Sequence, residues 1–162
     1  MVTTLSELDL SHLRQSIRVA ADARASGRHP FGAIVVDASG AMVASAGNNS
    51  LPPEGDPTQH AELRAVAEAS RKLGAEGMAG STLYTSAEPC AMCSGAVYWT
   101  GIDRVVYALS EHRLLELTGD HPENPTFSLP CREVFARGQR TIAVDGPAIE
   151  DEAAVVHEDF WT

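Results

Sequence analysis

Two cysteines in the segment TSAEPCAMCSGAVYW (85–99) are the first residues of this chain whose types and spacing could do chemistry. Cys90 and Cys93 are three positions apart, so on the first turn of a helix their sulfur atoms face the same side. A Cys-x-x-Cys pair can form a redox couple, pack as two buried thiols, or supply half of a metal site. The two cysteines by themselves leave these three interpretations open.

A second group of reactive residues, His60 and Glu62, lies in the segment DPTQHAELRAV. Zinc normally takes four ligands and binds sulfur and imidazole, so His60 is the best candidate for a third protein ligand beside Cys90 and Cys93. The fourth position is then open to water, and Glu62 can take that water's proton and pass it to a leaving group. We therefore predict one catalytic Zn²⁺ per subunit that activates a water.

The elements that must position these residues follow from the hydrophobic pattern. Predicted helices cover 5–27, 58–73, 89–101, 131–137 and 148–161, and predicted strands cover 32–37, 41–46, 81–86, 104–109 and 140–144. Asp56 is the expected N-cap of the second helix, with Pro57 at its first position, and Gly74 is the expected end. Glycine and prolines predict a loop over 110–130. Alternating strands and helices indicate one α/β domain over 1–162, with a mixed sheet between helices.

Composition restricts the class of ligand. The chain has 162 residues, 44% hydrophobic and 21% charged, and a formal net charge of −10. Scattered basic residues and an acidic C-terminal segment weigh against a nucleic-acid partner, so we expect a small-molecule substrate. No apolar run reaches the roughly 18 residues of a membrane span, and the first residues lack a signal-peptide pattern, so we expect a cytoplasmic protein.

Four motifs together resemble the cytidine/deoxycytidylate deaminase superfamily. They are PFGAIVV (30–36), GNN (47–49), HAE (60–62) and PCAMC (89–93), and they occur in the family's order within roughly residues 8–110. The resemblance implies a three-layer α/β/α sandwich with a central mixed five-stranded sheet. It also implies hydrolytic deamination, with zinc on His60, Cys90 and Cys93, and with Glu62 moving protons while ammonia leaves.

The segment SGAVYWTGIDRVVYAL (94–109) is similar to bacterial guanine deaminases, which implies conversion of guanine to xanthine and ammonia. The alternatives are deamination of cytosine, isoguanine or an aminotriazine, or a tRNA adenosine deaminase. A further alternative, from outside enzymes, is a zinc-stabilised interaction module, although an intact Glu62 argues against it. Family members also lead us to expect a homodimer.

The same resemblance supplies candidate substrate-binding residues. Asn48 would read the base, with Asn49 as the second choice, and Phe31 would stack on the base. Backbone donors around Ala87 and Glu88 would hold the reacting centre. The full candidate set is Phe31, Asn48, Ala61, Ala87, Glu88, Trp99, Glu111, Asp120, Phe160 and Trp161.

The C-terminal segment 146–162 is a candidate lid. Its aromatic residues would close over the chain's own active site or that of a partner subunit. The alternative is an amphipathic terminal helix that packs on the sheet. The third cysteine, Cys131, has no place in the zinc site by its spacing, and a buried thiol is expected there.

Overall fold

Strands and helices alternate along residues 4–162, which are the residues that this computed structural model describes. The strands are β1 (Gly32–Val36), β2 (Met42–Gly47), β3 (Thr82–Ala87), β4 (Arg104–Leu109) and β5 (Ala143–Asp145). The helices are α1 (Glu7–Ala25), α2 (Ala61–Gly77), α3 (Ala91–Thr100), α4 (Glu111–Thr118), α5 (Cys131–Phe135) and α6 (Glu150–Ala154), followed by a 3₁₀ helix at Val155–His157. None of the described helices is both long and apolar enough to cross a bilayer.

The strands form a mixed sheet in the order β2-β1-β3-β4-β5. β1 runs antiparallel to β2 and to β3, whereas the β3/β4 and β4/β5 pairs are parallel. Parallel neighbours require crossover connections, and α3 provides the crossover between β3 and β4. The predicted mixed five-stranded sheet is confirmed.

Both faces of this sheet are buried, as the alternation along β1 shows. Ala33 and Val35 belong to the core that α2, α3 and α5 cover, whereas Ile34 and Val36 belong to the core on the α1 side. Successive residues of a strand point to opposite faces, so a strand that is apolar at every position must be covered twice. The apolar sequence of β1 therefore produces the three-layer sandwich, and this prediction is confirmed.

Helix α1 approaches the sheet most closely at Gly32. A Cβ atom at this position would overlap the backbone of Ser16 and Ala20 in α1. The Gly32 amide also donates to Ser86 Oγ on β3 (3.1 Å), which fixes the strand that follows the Pro-Phe pair of the first motif. The glycine of PFGAIVV is thus explained by packing.

The prediction of a loop over 110–130 is wrong for its first third. Helix α4 occupies Glu111–Thr118, with Ser110 as the N-cap, because the Ser110 side chain accepts from the Arg113 amide. Gly119 ends this helix, and the prolines beyond it do lie in irregular chain. The serine before an acidic residue was the signal for this helix, but the prolines that follow masked it.

The start predicted for α2 is also wrong, because His60 and not Asp56 is the N-cap. Asp56 accepts from the Thr58 amide (2.8 Å) in a local turn before the helix, and Pro57 lies in that turn. Gly74 has a φ of +68°, which interrupts the helix as expected, but helical turns resume as far as Gly77.

The last elements of the chain are shorter than predicted. The strand placed at 140–144 is β5, Ala143–Asp145, and the helix placed at 131–137 is α5, which ends at Phe135. The terminal helix placed at 148–161 is wrong, since α6 and the 3₁₀ helix end at His157 and leave Phe160 and Trp161 outside them. An amphipathic terminal helix packed on the sheet is therefore not formed over that range.

Replacing Asp9 by Asn should destabilise the fold in a pH-dependent way. Burial alone would raise the pKa of Asp9, but hydrogen bonds from Arg104, Ser6 and Tyr84 hold it well below its usual range. A depressed folded-state pKa gives stability that is present above the unfolded pKa of ~3.9 and is lost as the pH falls below it. We expect Asp9→Asn to lower the free energy of unfolding by about 1.5–3 kcal/mol at pH 7, and by less at pH 3.

Chemical denaturation at the two pH values measures this difference. The exposed ion pair between Arg14 and Glu152 (2.9 Å) provides the control. Glu152→Gln should change stability by no more than ~1 kcal/mol at either pH. An equal loss for Asp9→Asn at pH 7 and pH 3 would contradict the assignment of this stabilisation to the ionised carboxylate.

Candidate active site

Two helix N-termini bring the two sequence motifs together at one end of the sheet. His60 is the N-cap of α2 and Cys90 is the N-cap of α3, with Cys93 in the first turn of α3. Neither cap side chain makes a capping hydrogen bond. Histidine and cysteine are poor capping residues, so their side chains at these positions are free for another role.

The arrangement of these side chains with Cys93 suits metal binding. The ligand atoms of His60, Cys90 and Cys93 all lie within 4.8 Å of one another, and Cys90 Sγ is 3.6 Å from His60 Nδ1. One imidazole and two sulfur atoms form a donor set that suits zinc, and three protein ligands leave one coordination position for water. The donor chemistry therefore fits a catalytic zinc ion.

The local electrostatics favour thiolate formation at one of the two cysteines. The hydrogen bond with Cys93 and the one with His60 lower the pKa of Cys90 to about 4, against the opposing effect of burial. The same hydrogen bond with Cys90, together with burial, raises the pKa of Cys93. Hydrogen bonding to Cys90 raises the pKa of His60. Metal binding requires both thiols to lose their protons, and the positive ends of the helix dipoles assist this loss.

Glu62 lies beside the metal ligands without being one of them. It is 5% exposed, and its Oε2 is 3.8 Å from Cys93 Sγ. Burial raises the pKa of its carboxyl to about 7. Thr85, on strand β3, places its Oγ1 atom 3.3 Å from Oε1 of Glu62. A carboxyl in this environment can take up and release a proton near neutral pH.

A cavity of about 640 Å³ opens in front of these residues. Its floor contains His60, Glu62 and Cys90, and Phe31 and Asn48 line one side. Much of the remaining wall is apolar, from Leu51, Pro52, Pro57, Met92, Leu114 and Phe127. An apolar pocket with a few convergent polar groups is typical of a site for a small organic molecule.

The structure distinguishes between the two asparagines of the GNN motif. Asn48 Oδ1 accepts from the Ser50 amide (2.9 Å) and from Ser50 Oγ (2.8 Å). Because a backbone N–H can only donate, the oxygen of this side chain is engaged and its NH₂ is left to donate to a ligand. The Asn49 side chain instead bonds to Arg28 and Gln59, which makes it a structural residue of the loop.

Within the described residues 4–162, the charged residues that line the cavity include four glutamates and no lysine or arginine. Burial and the negative charges of Cys90, Glu88 and Glu62 raise the pKa of Glu111 to about 7. Glu123 also lines the cavity, and its Oε2 lies 3.0 Å from His29 Nε2. The structure therefore brings Glu111, one of the predicted substrate-binding residues, to the cavity.

Several predicted substrate-binding residues lie elsewhere. Trp99 is 84% exposed and, like Asp120, does not line the cavity. Trp99 belongs to the C-terminal part of α3, which points away from the end that carries Cys90. Ala61 is fully buried at the start of α2 and does not line the cavity either. The structure gives Trp99 and Asp120 no place in the site.

Ala87 and Glu88 do line the cavity, but the Glu88 amide is not free to hold a substrate. It donates to Leu109 O (2.7 Å) and so joins the ends of β3 and β4. The expected oxyanion-type role of this amide is therefore wrong, because the backbone already uses it.

The C-terminal aromatic residues pack against two residues that line the cavity of their own chain. The Trp161 ring lies 5.3 Å from that of His29 and 6.1 Å from that of Phe31, and the Phe160 ring lies 5.8 Å from His29. Burial lowers the pKa of His157 to about 4, and its neutral ring accepts from Trp161 Nε1 (3.0 Å). Phe160 and Trp161 thus support two lining residues and do not themselves line the cavity.

Sequence reasoning missed His29, Ser50 and Glu123. Ser50 follows the GNN motif directly and His29 precedes PFG, so their proximity to the motifs was a usable signal. Glu123 had no local signal, because its contact with His29 joins residues 94 positions apart.

Three comparisons with known proteins agree with this geometry. The family model for the cytidine and deoxycytidylate deaminase zinc-binding region matches residues 6–109. A Schizosaccharomyces pombe protein named "Probable cytosine deaminase" is 46% identical over 159 residues, covering 98% of this chain and 96% of that protein. Guanine deaminase of Bacillus subtilis is 47% identical over 83 residues, about half of each chain.

A solved structure of guanine deaminase from Nitrosomonas europaea is similar over nearly the whole fold. It superposes with a TM-score of 0.76 at 28% identity, covering 98% of this chain and 86% of that one. The similarity includes the elements beyond residue 109, where the family model ends.

Proposed function

The chain belongs to the cytidine and deoxycytidylate deaminase family and is a zinc-type deaminase, and from this premise we propose that its substrate is a free nucleobase. Guanine is the first candidate, with xanthine and ammonia as products. The family as a whole does not decide between bases, nucleosides and nucleic acids, so the proposal depends on the cavity.

The observation that carries the proposal is the charge of the cavity wall. Among the described lining residues are four carboxyl groups, Glu62, Glu88, Glu111 and Glu123, and no lysine or arginine. A phosphate group would meet carboxyl oxygens and no cationic partner from lysine or arginine among these described residues, whereas the N–H groups of a neutral base would meet acceptors on Glu111 and Glu123. Nucleotides and tRNA are therefore disfavoured, in agreement with the formal net charge of −10.

Guanine offers groups that match the polar residues of the cavity. Its carbonyl oxygen or a ring nitrogen can accept from the side-chain NH₂ of Asn48. Ser50 orients that NH₂ group by donating to the Asn48 oxygen. Its N–H groups can donate to Glu111 or Glu123. Phe31, at the cavity wall, is available to stack on the ring. A cavity of about 640 Å³ accepts a two-ring base.

Cytosine is the second candidate, and one observation favours it. The similarity to the fission-yeast protein extends over 159 residues, so it includes the α4–α5 region that forms one wall of the cavity. Cytosine carries the same reacting unit as guanine, an amino group on a ring carbon beside a ring nitrogen. The two bases differ in size and in the donors that they present to this wall.

The chemistry follows from the residues around that unit. When bound, zinc supplies a Lewis acid that lowers the pKa of a water molecule to ~7. Glu62 would take one proton from the attacking water and pass it to the ring nitrogen next to the attacked carbon. It would then take the remaining proton of the added hydroxyl and deliver it to the departing amine, which leaves as ammonia while the ring carbonyl forms. Burial raises the pKa of this carboxyl to about 7, so it can both accept and donate a proton near neutral pH. Asn48 and the cavity wall hold the ring in position.

An ammonia-release screen of the zinc-loaded protein tests the proposal. The panel contains guanine, cytosine, isoguanine, adenine, an aminotriazine, guanosine, GMP and tRNA. We expect turnover of guanine, with GMP at least about 100-fold slower, because a like-charge contact costs several kcal/mol and each ~1.4 kcal/mol is tenfold. Cytosine turnover with inactive guanine would select the second candidate. Preference for GMP or tRNA would overturn the free-base proposal.

A further inference from the structure

Glu88 is a buried carboxylate for which the proposed mechanism has no use. It immediately precedes Pro89 and Cys90 and is 6% exposed. Its two oxygen atoms accept from two different backbone amides, Oε2 from Glu111 N (2.9 Å) and Oε1 from Cys131 N (3.0 Å). A buried carboxylate that binds two backbone donors is strongly held in place.

The two amides belong to the first residues of α4 and α5. The backbone amides at the two ends of the segment 111–131 therefore donate to the same carboxylate, although the two ends are far apart along the chain. The first amides of a helix lack helical partners and lie at its positive end, so each helix start gains from a negative charge there. The Glu88 backbone is itself fixed by its bond to Leu109 O (2.7 Å).

The segment 111–131 carries one wall of the cavity. Glu111, Leu114 and the residues from Glu123 to Phe127 all line it. Its far part has a second attachment, the contact of Glu123 with His29 (3.0 Å). The Glu88 side chain thus connects both ends of this wall to the chain two positions before Cys90, the candidate zinc ligand.

We propose that Glu88 is a positioning residue that sets the placement of the segment 111–131 relative to the zinc site and thereby determines which base the cavity accepts. This inference rests on the proposed function. Glu88 does not contact the reacting atoms in this role, since both of its oxygen atoms bind the protein backbone.

Glu88→Gln is the sharpest variant, because it keeps the size of the side chain and removes one acceptor. One of the two amides must then face an NH₂ group, which leaves a buried donor without an acceptor. The matched control is Glu116→Gln, which removes a carboxylate of α4 that pairs with the exposed Arg113 (2.8 Å). The control is not a cavity residue.

Amide hydrogen exchange in the absence of substrate is the first measurement. In Glu88→Gln we expect at least one of the two amides, that of Glu111 or that of Cys131, to exchange at least about tenfold faster, the equivalent of ~1.4 kcal/mol. Exchange in Glu116→Gln should match the parent at both amides. Unchanged exchange in Glu88→Gln would refute the attachment of the two helix starts to this carboxylate.

Steady-state kinetics on guanine and cytosine is the second measurement. We expect KM to rise about tenfold and the ratio of kcat/KM between the two bases to change, with zinc content unchanged and kcat much less affected. Faster exchange with an unchanged KM and base ratio would show a merely structural role and overturn the proposal. If the unmodified chain deaminated neither base, the proposed function would fail. Faster exchange would then still support the attachment but refute base selection.

Glu88→Asp covers the case in which Glu88→Gln does not fold. It keeps the charge and shortens the side chain by one methylene group, so the segment must shift to retain both bonds. A changed base ratio with normal zinc content supports the proposal. A base ratio identical to that of the parent contradicts it.

Discussion

Glu62→Gln should abolish ammonia release and leave zinc content near one per subunit. Glutamine has nearly the same shape but cannot carry a proton between water, ring nitrogen and amine. General acid–base catalysis by one side chain contributes about 10²–10⁴-fold, and this residue serves several proton transfers, so we expect the upper end or more. Coupled ammonia detection together with metal analysis of the purified variant measures both quantities.

Glu68→Gln is the matched control for this experiment. Glu68 lies on the same helix α2 and forms an exposed ion pair with Lys72 (2.6 Å). Its replacement should leave kcat and zinc content unchanged. Normal turnover by Glu62→Gln would remove Glu62 from the mechanism, whereas loss of zinc would assign it to the metal ligands.

Cys90→Ser and Cys93→Ser are expected to lose both zinc and activity. Each replaces a soft sulfur ligand by a hydroxyl that does not ionise near neutral pH, and only three protein ligands hold the ion. Altering a residue that hydrogen-bonds to a metal ligand typically weakens metal binding about 10–100-fold, so loss of a direct ligand should exceed 100-fold. Zinc competition with a chelator of known affinity measures the change.

Cys131→Ala is the control, because Cys131 is fully buried away from the metal cluster and binds Glu88 through its backbone amide. This variant should retain zinc and turnover, with some loss of stability from the smaller side chain. A metal-free protein that still released ammonia would contradict the zinc mechanism. Thiol-disulfide activity without metal would instead support the redox interpretation of Cys90 and Cys93.

Under the proposed function, the choice between guanine and cytosine would depend on a wall that is remote in sequence from the zinc motifs. In the proposed mechanism residues 60–62 and 89–93 carry out the reaction, whereas the segment 111–131 forms one wall of the cavity. A family of deaminases can therefore keep the first set and vary the second. We expect that replacing the segment 111–131 by that of another deaminase would shift the preferred base without changing zinc affinity. The condition is that Glu88 still accepts from the first amides of α4 and α5.

The sequence alone predicted the parts of the molecule that depend on local patterns. The apolar run of β1 implies burial on both faces, and the spacing of Cys90 and Cys93 at a helix start implies sulfur atoms on one side. His60 and Glu62 were recognisable because they belong to one short motif. Their grouping with the cysteines required only that two helices begin at the same end of a sheet.

Only the tertiary structure decided how the cavity is closed. Helix α4 was missed, and Trp99 was placed in the site although it is 84% exposed. The decisive contacts join distant residues, as Glu88 meets Glu111 and Cys131, and His29 meets Glu123. No local propensity encodes such pairings, because they depend on where folding places each end of a segment. The candidate catalytic groups were therefore predictable from the sequence, whereas the wall proposed to select the base depended on the folding of the chain.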